Sequence, residues 1–177
     1  MPCERSEKGM DFIMKVYERK FLCKSLPVLS HIKPVIYERY FTYIGKDGQV
    51  RVQKRGEKCE IESCFGTYKK KILITQDAFY ELTRNCNKVI KRENYLISDT
   101  IKIKLYRGDY EGLVIVDVEF PNAEQFYNYT KPNWLGAEIT STELGKDGNI
   151  IRLSPVEVLQ KVESLQQEKS QQNKVER

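Results

Sequence analysis

The sequence is poor in the residues from which most catalytic and metal sites are built. It has one histidine, His31, in 177 residues, which leaves little for imidazole catalysis or a His-ligated metal. Its five cysteines, Cys3, Cys23, Cys59, Cys64 and Cys86, are odd in number and form no C-x-x-C pair. Free thiols are therefore expected, not a disulfide frame or a zinc site. No apolar run approaches the roughly 20 residues of a membrane span. Met1 to Met10 is polar and charged without the apolar stretch of a secretory signal, so residues 1–10 read as a disordered leader and a cytoplasmic location is expected. Basic blocks are short too: Lys69-Lys70-Lys71 is the longest, and no zinc-finger or RNP-type motif accompanies it. A net charge of +5 points to polyanionic small molecules, phosphates above all, and leaves nucleic acid open as a partner.

What is present is enough for one domain with its own core. The domain is expected over residues 11–153, followed by a C-terminal helix and frayed tail at 154–177. Strand patterns fall at 12–23, 35–43, 49–54, 58–64, 68–74, 88–97, 100–106 and 112–120. The second and third are joined by the turn Gly45-Lys46-Asp47-Gly48 as a hairpin. Thr75-Gln76-Asp77 opens a helix on which Phe79, Leu82 and Cys86 recur at helical spacing. Asn122, with Gln125 three residues on, and Ser154-Pro155-Val156-Glu157 read as capped helix starts. The class is α+β, with about eight antiparallel strands and three helices.

The strands are amphipathic in an uncommon way. In Val16-Tyr17-Glu18-Arg19-Lys20-Phe21-Leu22, alternation puts Glu18 and Lys20 on one face. Other strands place Arg51 with Gln53, Glu60 with Glu62, Lys69 with Lys71, Lys102 with Lys104 and Asp117 with Glu119, each opposite a row of aliphatic and aromatic side chains. A charged face turned to water predicts a flat sheet with helices behind it. Turned inward, it predicts a barrel with a polar lumen, which is sustainable only where charges are paired or a charged ligand enters, because burying an unpaired ion costs several kcal/mol.

At these strands the chain resembles the CYTH family, the triphosphate tunnel metalloenzymes, which include inorganic and thiamine triphosphatases and class IV adenylyl cyclases. The likeness covers nearly all of residues 12–153. Tyr17-Glu18-Arg19-Lys20-Phe21-Leu22 is similar to the family's opening ExExK strand, and Val50-Arg51-Val52 to its arginine-bearing strand. The most specific match is the series Tyr106-x-Gly108, Gly112 to Phe120 and Pro132-Asn133-Trp134-Leu135-Gly136-Ala137-Glu138-Ile139-Thr140, which holds the only tryptophan. The resemblance implies a closed or nearly closed eight-stranded antiparallel β-barrel, a tunnel with peripheral helices. Inward Lys and Arg would grip phosphate oxygens, while inward carboxylates would hold Mg2+ or Mn2+.

Position by position, the chain departs from that pattern. The first glutamate of the opening motif is Val16, while Glu18 and Lys20 remain; Arg51 is kept but its partner is Gln53. Glu60 and Glu62 fall where a phosphate-gripping strand is expected, and Lys69 and Lys71 fall on two glutamate positions. Arg92 stands at a lysine position, Asn94 at an arginine position and Lys104 at an aspartate position, whereas Asp117 and Glu119 match the C-terminal acidic pair. By the resemblance, Glu18, Asp117 and Glu119 are the candidate catalytic and metal-binding residues, gathered in one carboxylate cluster. Lys20, Arg51, Lys69, Lys71, Arg92 and Lys104 are the candidate phosphate-binding residues.

Three functions are compatible with this set. The favoured one is a divergent tunnel protein that binds a nucleotide or tri/polyphosphate in a basic lumen with reduced or no catalysis, a metal being possible but not required. The second is a Mg2+- or Mn2+-dependent triphosphatase using Glu18, Asp117 and Glu119. The third is a structural or partner-binding barrel whose tunnel is shut by its own Glu–Lys pairs. The remaining residues read as packing: Trp134 and Leu135 plug the barrel or cover its edge, Tyr106, Phe120 and Phe126 belong to the core, and Glu138 is a solvated or lid residue.

Overall fold

The computed structural model describes residues 17–175, with side chains described to Gln167. The expected leader, Cys3 and Val16 lie outside the described residues. Nine strands follow in chain order: β1 (Tyr17–Cys23), β2 (Val35–Ile44), β3 (Gly48–Arg55), β4 (Lys58–Phe65), β5 (Tyr68–Ile74), β6 (Val89–Leu96), β7 (Ile101–Arg107), β8 (Val114–Phe120) and β9 (Leu135–Glu138). They form one sheet in the order β5-β4-β3-β2-β6-β7-β8-β1-β9, with every pairing antiparallel.

The count corrects the expected eight strands. β9 is too short for alternation to reveal it, and it pairs along β1 with Phe21 opposite Glu138 and Cys23 opposite Leu135. Leu135 thus covers a sheet edge. Among the described residues no ladder joins β5 to β9, the first and last strands of the sheet. The turns follow local chemistry. Gly45 N donates to Gly48 O at 2.8 Å to close the β2–β3 hairpin, and Gly56 and Gly66, at φ +56° and +57°, open the next two turns in a region where a Cβ is strained.

Two helices lie on the outer, apolar face, and the C-terminal segment packs on the inner one beside the cavity. α1 (Gln76–Thr83), capped by the Thr75 hydroxyl on Ala78 N, sets Phe79 against Val52 and Cys59. α2 (Ala123–Tyr127), capped by Asn122 on Gln125 N, brings Phe126 against a core of Phe21, Ile103, Val116 and Phe120. Tyr129 and Trp134 pack there too. A short helix, α3 (Asp147–Ile150), follows a 3-10 turn at Glu143–Gly145. The last helix, α4 (Pro155–Val175), is locked at its start by the Ser154–Glu157 capping box, with Ser154 N donating to Glu157 Oε2 at 2.7 Å. It stays helical to Val175 where a frayed tail was expected, because its Gln, Lys and Glu residues are good helix formers. Leu144, Ile150, Ile151 and Val158 join Leu22, Phe41, Ile90 and Ile115 in a second core that seats this C-terminal segment on the sheet.

The inner face is polar. Glu18 and Lys20 on β1 and Lys69 on β5 line the same cavity although their strands stand seven places apart in the sheet. A flat sheet could not bring them together, so the charged face is concave and enclosed.

Candidate functional site

The cavity has a volume of about 790 Å3 and is lined by ten Lys or Arg against five Asp or Glu. The size lies within the roughly 300–1,000 Å3 of small-molecule sites, but the wall is far more cationic than an apolar pocket. Antiparallel register builds it. Lys20 stands opposite Asp117 and Glu18 opposite Glu119 across β1–β8, Lys102 opposite Asp117 across β7–β8, Arg92 opposite Tyr106 and Asn94 opposite Lys104 across β6–β7. On the other wing Arg51 faces Glu62 and Gln53 faces Glu60 across β3–β4, and Glu62 faces Lys71 across β4–β5.

Seven of the nine expected site residues, Glu18, Lys20, Arg51, Lys69, Arg92, Lys104 and Asp117, line this cavity, and Lys71 and Glu119 each pair with a residue that does, Glu62 and Lys102. Glu119 is on the same face but does not line the cavity; it meets Lys102 at 3.5 Å near the rim. Glu18 pairs with Lys20 at 2.8 Å and Asp117 with Lys104. Among the described residues no three His, Cys, Asp or Glu side chains are placed to hold a metal ion. The expected cluster of Glu18, Asp117 and Glu119 is instead three ion pairs, each carboxylate having an ammonium partner in Lys20, Lys104 or Lys102.

On the β3–β4–β5 wing the reversed signs pair with one another. Glu62 is buried and meets Arg51, Lys69 at 3.4 Å and Lys71 at 3.2 Å, while Glu60 accepts from Gln53 and meets Lys71 at 3.3 Å. Burial pushes the Glu62 carboxyl up, but Arg51 and the two lysines, with the Cys64 thiol, win and hold it at about 2.

The most buried part of the site involves two residues outside the expected set, Arg39 and Asp147, and a third, Tyr106, expected only as core. Arg39 Nη1 donates to Asp147 Oδ2 at 2.7 Å, Arg92 Nη1 to Oδ1 at 3.0 Å and the Tyr106 hydroxyl to Oδ1 at 2.6 Å. Both guanidinium carbons lie 5.1 Å from the centre of the Tyr37 ring, a cation–π arrangement. Burial alone would raise the Asp147 carboxyl; the charges of Arg92, Arg39 and Lys104 and the Tyr106 hydrogen bond hold it far below the usual carboxylate range. Lys104 goes the other way. Burial and the charge of Arg92 outweigh Asp117 and bring its ammonium down to about 8.

Several polar atoms in the wall have no hydrogen-bond partner among the described residues: Nε of Arg39, Arg51 and Arg92, and the oxygens Gln53 Oε1, Asn94 Oδ1 and Asp117 Oδ1. The three arginines that carry these Nε groups all line the cavity, and guanidinium N–H groups are donors suited to anionic oxygens. Alternation along β2, which puts Tyr37, Arg39 and Phe41 on one face, was the available signal for Arg39. For Asp147 it was the recurrence of Gly-Lys-Asp-Gly at 45–48 and 145–148.

An antiparallel sheet whose charged face lines a basic cavity agrees with the resemblance to the triphosphate tunnel proteins, and the chain is similar to proteins named as triphosphatases. It is 27% identical over 150 residues to an inorganic triphosphatase of Acetivibrio thermocellus, an alignment covering 78% of this chain and 94% of that protein. Its fold is shared with two crystal structures. One, of the inorganic triphosphatase NE1496, has a TM-score of 0.66 at 20% identity over 77% of this chain and 94% of that one. The other, described as the hypothetical protein NE1496, has a TM-score of 0.68 at 20% identity over 80% and 100%. No protein-family model matches the chain. Among the described residues no helix is long and apolar enough to cross a membrane.

Proposed function

We propose that this chain binds the phosphate chain of an inorganic triphosphate, a longer polyphosphate or a nucleotide in the basic cavity, chiefly through direct contacts of Lys and Arg with phosphate oxygens. The observation that carries this reading is the excess of ten cationic over five anionic side chains lining one cavity. Ammonium and guanidinium groups can then do for phosphate charge what a bridging cation does elsewhere. Lys69, Lys71 and Lys104 stand at positions where the family resemblance implies carboxylates, which supports direct over metal-bridged binding.

A second reading, a triphosphatase that uses Mg2+ or Mn2+, is favoured by the activity named for the Acetivibrio relative. Titration calorimetry with inorganic triphosphate in EDTA and in Mg2+, together with phosphate release in Mg2+ and Mn2+, separates the two. The binding reading expects affinity that persists in EDTA, weakens steeply with salt, and is accompanied by little phosphate release. Binding abolished by EDTA, with turnover in metal that disappears in Glu119→Gln, establishes the second reading instead.

A further inference from the structure

We infer that Arg39, Arg92 and Tyr106 form a phosphoryl-oxygen subsite, that the carboxylate of Asp147 occupies it in the ligand-free chain, and that a terminal phosphoryl group enters by displacing Asp147. The inference rests on the proposed binding of a phosphate chain and deepens it by naming a subsite and the element that guards it.

The geometry carries it in three respects. First, the carboxylate receives what a phosphoryl group would receive: one N–H from each of two guanidiniums at 2.7 and 3.0 Å and a hydroxyl at 2.6 Å. Arg39 Nε and Arg92 Nε remain without partners beside it, so the two guanidiniums hold donor capacity that one carboxylate does not use. A phosphoryl group brings three oxygens where the carboxylate brings two.

Second, Asp147 is not part of the sheet. It starts a four-residue helix in the segment between β9 and α4, which Leu144, Ile150 and Ile151 seat in the core while its backbone accepts few hydrogen bonds from sheet side chains. Lys20 Nζ donates to Gly145 O at 2.8 Å, and Arg152 Nη2 to Gly45 O at 2.6 Å. The Asp147 side chain, at a helix start and outside every strand, can turn away from the arginines without breaking a ladder, unlike Glu62, which stands on a strand with its partners in the same sheet. Third, the cations depend on an anion being there. Arg92 is 5% exposed and shares the Tyr37 ring with the partly buried Arg39, so two guanidiniums stand side by side largely out of water. Some anion must sit between them in every state of the protein, and exchange of Asp147 for a phosphoryl group keeps that condition satisfied.

The test is the affinity of inorganic triphosphate, by titration calorimetry in EDTA, for the wild type, Asp147→Asn and Glu143→Gln. The last changes net charge equally within the same segment, but Glu143 pairs with Lys161 away from the cavity. The expected result is a Kd lower by on the order of tenfold in Asp147→Asn, because the closed form no longer competes, with Glu143→Gln close to wild type. A Kd unchanged or raised in Asp147→Asn, with the wild type binding normally, overturns the inference and leaves the binding reading standing. Absence of binding in every form removes both. Amide hydrogen exchange on the wild type covers the case in which Asp147→Asn does not fold. Residues 143–152 are expected to exchange faster with triphosphate bound, and unchanged or slower exchange there overturns the inference.

Discussion

The tetrapeptide Gly-Lys-Asp-Gly occurs twice, at 45–48 and 145–148, and both copies lie at the cavity. They touch the same neighbourhood: Arg152, just after the second copy, donates to Gly45 O in the first. Yet Asp47 is exposed at a hairpin tip, whereas Asp147 is 7% exposed and holds two arginines and a tyrosine. Local sequence is identical, so the difference lies in what each copy is brought against. The first copy joins two adjacent strands, and its aspartate stays exposed at the cavity's edge. The second lies on a segment seated by Leu144, Ile150 and Ile151, and this seating presses its aspartate into the cationic wall. An identical motif can thus be a turn in one place and a charge plug in another.

The largest expected difference between the two copies is in stability. Asp147→Ala leaves Arg39 and Arg92 buried without their anion and should cost about 3–5 kcal/mol in urea unfolding. Asp47→Ala, at an exposed tip, should stay within about 0.5 kcal/mol. Equal effects would erase the contrast.

Next in size are the leading glycines. A Cβ on Gly145 would sit 2.7 Å from Ile139 O and 2.8 Å from Thr140 O, which are backbone atoms that cannot turn aside. On Gly45 it would meet only the Tyr43 side chain, which can. Gly145→Ala should therefore lower stability by about 1–3 kcal/mol and Gly45→Ala by clearly less, as thermal melts of both would show.

The smallest effect is in the pH profile of the wall behind the second copy. Lys104 carries its charge below about 8 and loses it above that point, while in the unfolded chain it would stay charged to its ordinary value of 10.5. Between those limits the unfolded chain binds more protons, so this group makes stability rise with pH. Anion binding follows the opposite sign. Triphosphate affinity should fall several-fold from pH 7 to 9, and Lys104→Met should flatten that decline; a wild-type profile that is already flat would contradict it.

Much of the site was legible because strand alternation is a local rule. Once Glu18, Lys20, Arg51, Lys69, Arg92, Lys104 and Asp117 were assigned to strands, their common face followed, and the cavity gathers them. Glu119 followed the same rule, yet its position near the rim kept it off the cavity wall and paired it with Lys102. Which charges would neutralise which was not legible, since that depends on register. Glu62 faces Lys71 whereas Lys69 faces Cys64, a matter of ladder offset that alternation leaves undefined. Tyr106 shows the same limit: its ring belongs to the apolar core as expected, but its hydroxyl turns to Asp147 in the cavity.

The chain by itself determined the antiparallel strands, the turns, the helix caps and the separation of an apolar from a charged face, because each of these depends on residues within a few positions of one another. Only the tertiary structure decided that the charged face is concave, that a ninth strand covers one edge, and that the second Gly-Lys-Asp-Gly supplies the anion between Arg39 and Arg92. Those outcomes join residues far apart in the chain, Phe21 with Glu138 and Arg39 with Asp147 among them. Such pairings are set by sheet register and by the packing of the C-terminal segment, neither of which leaves a local trace.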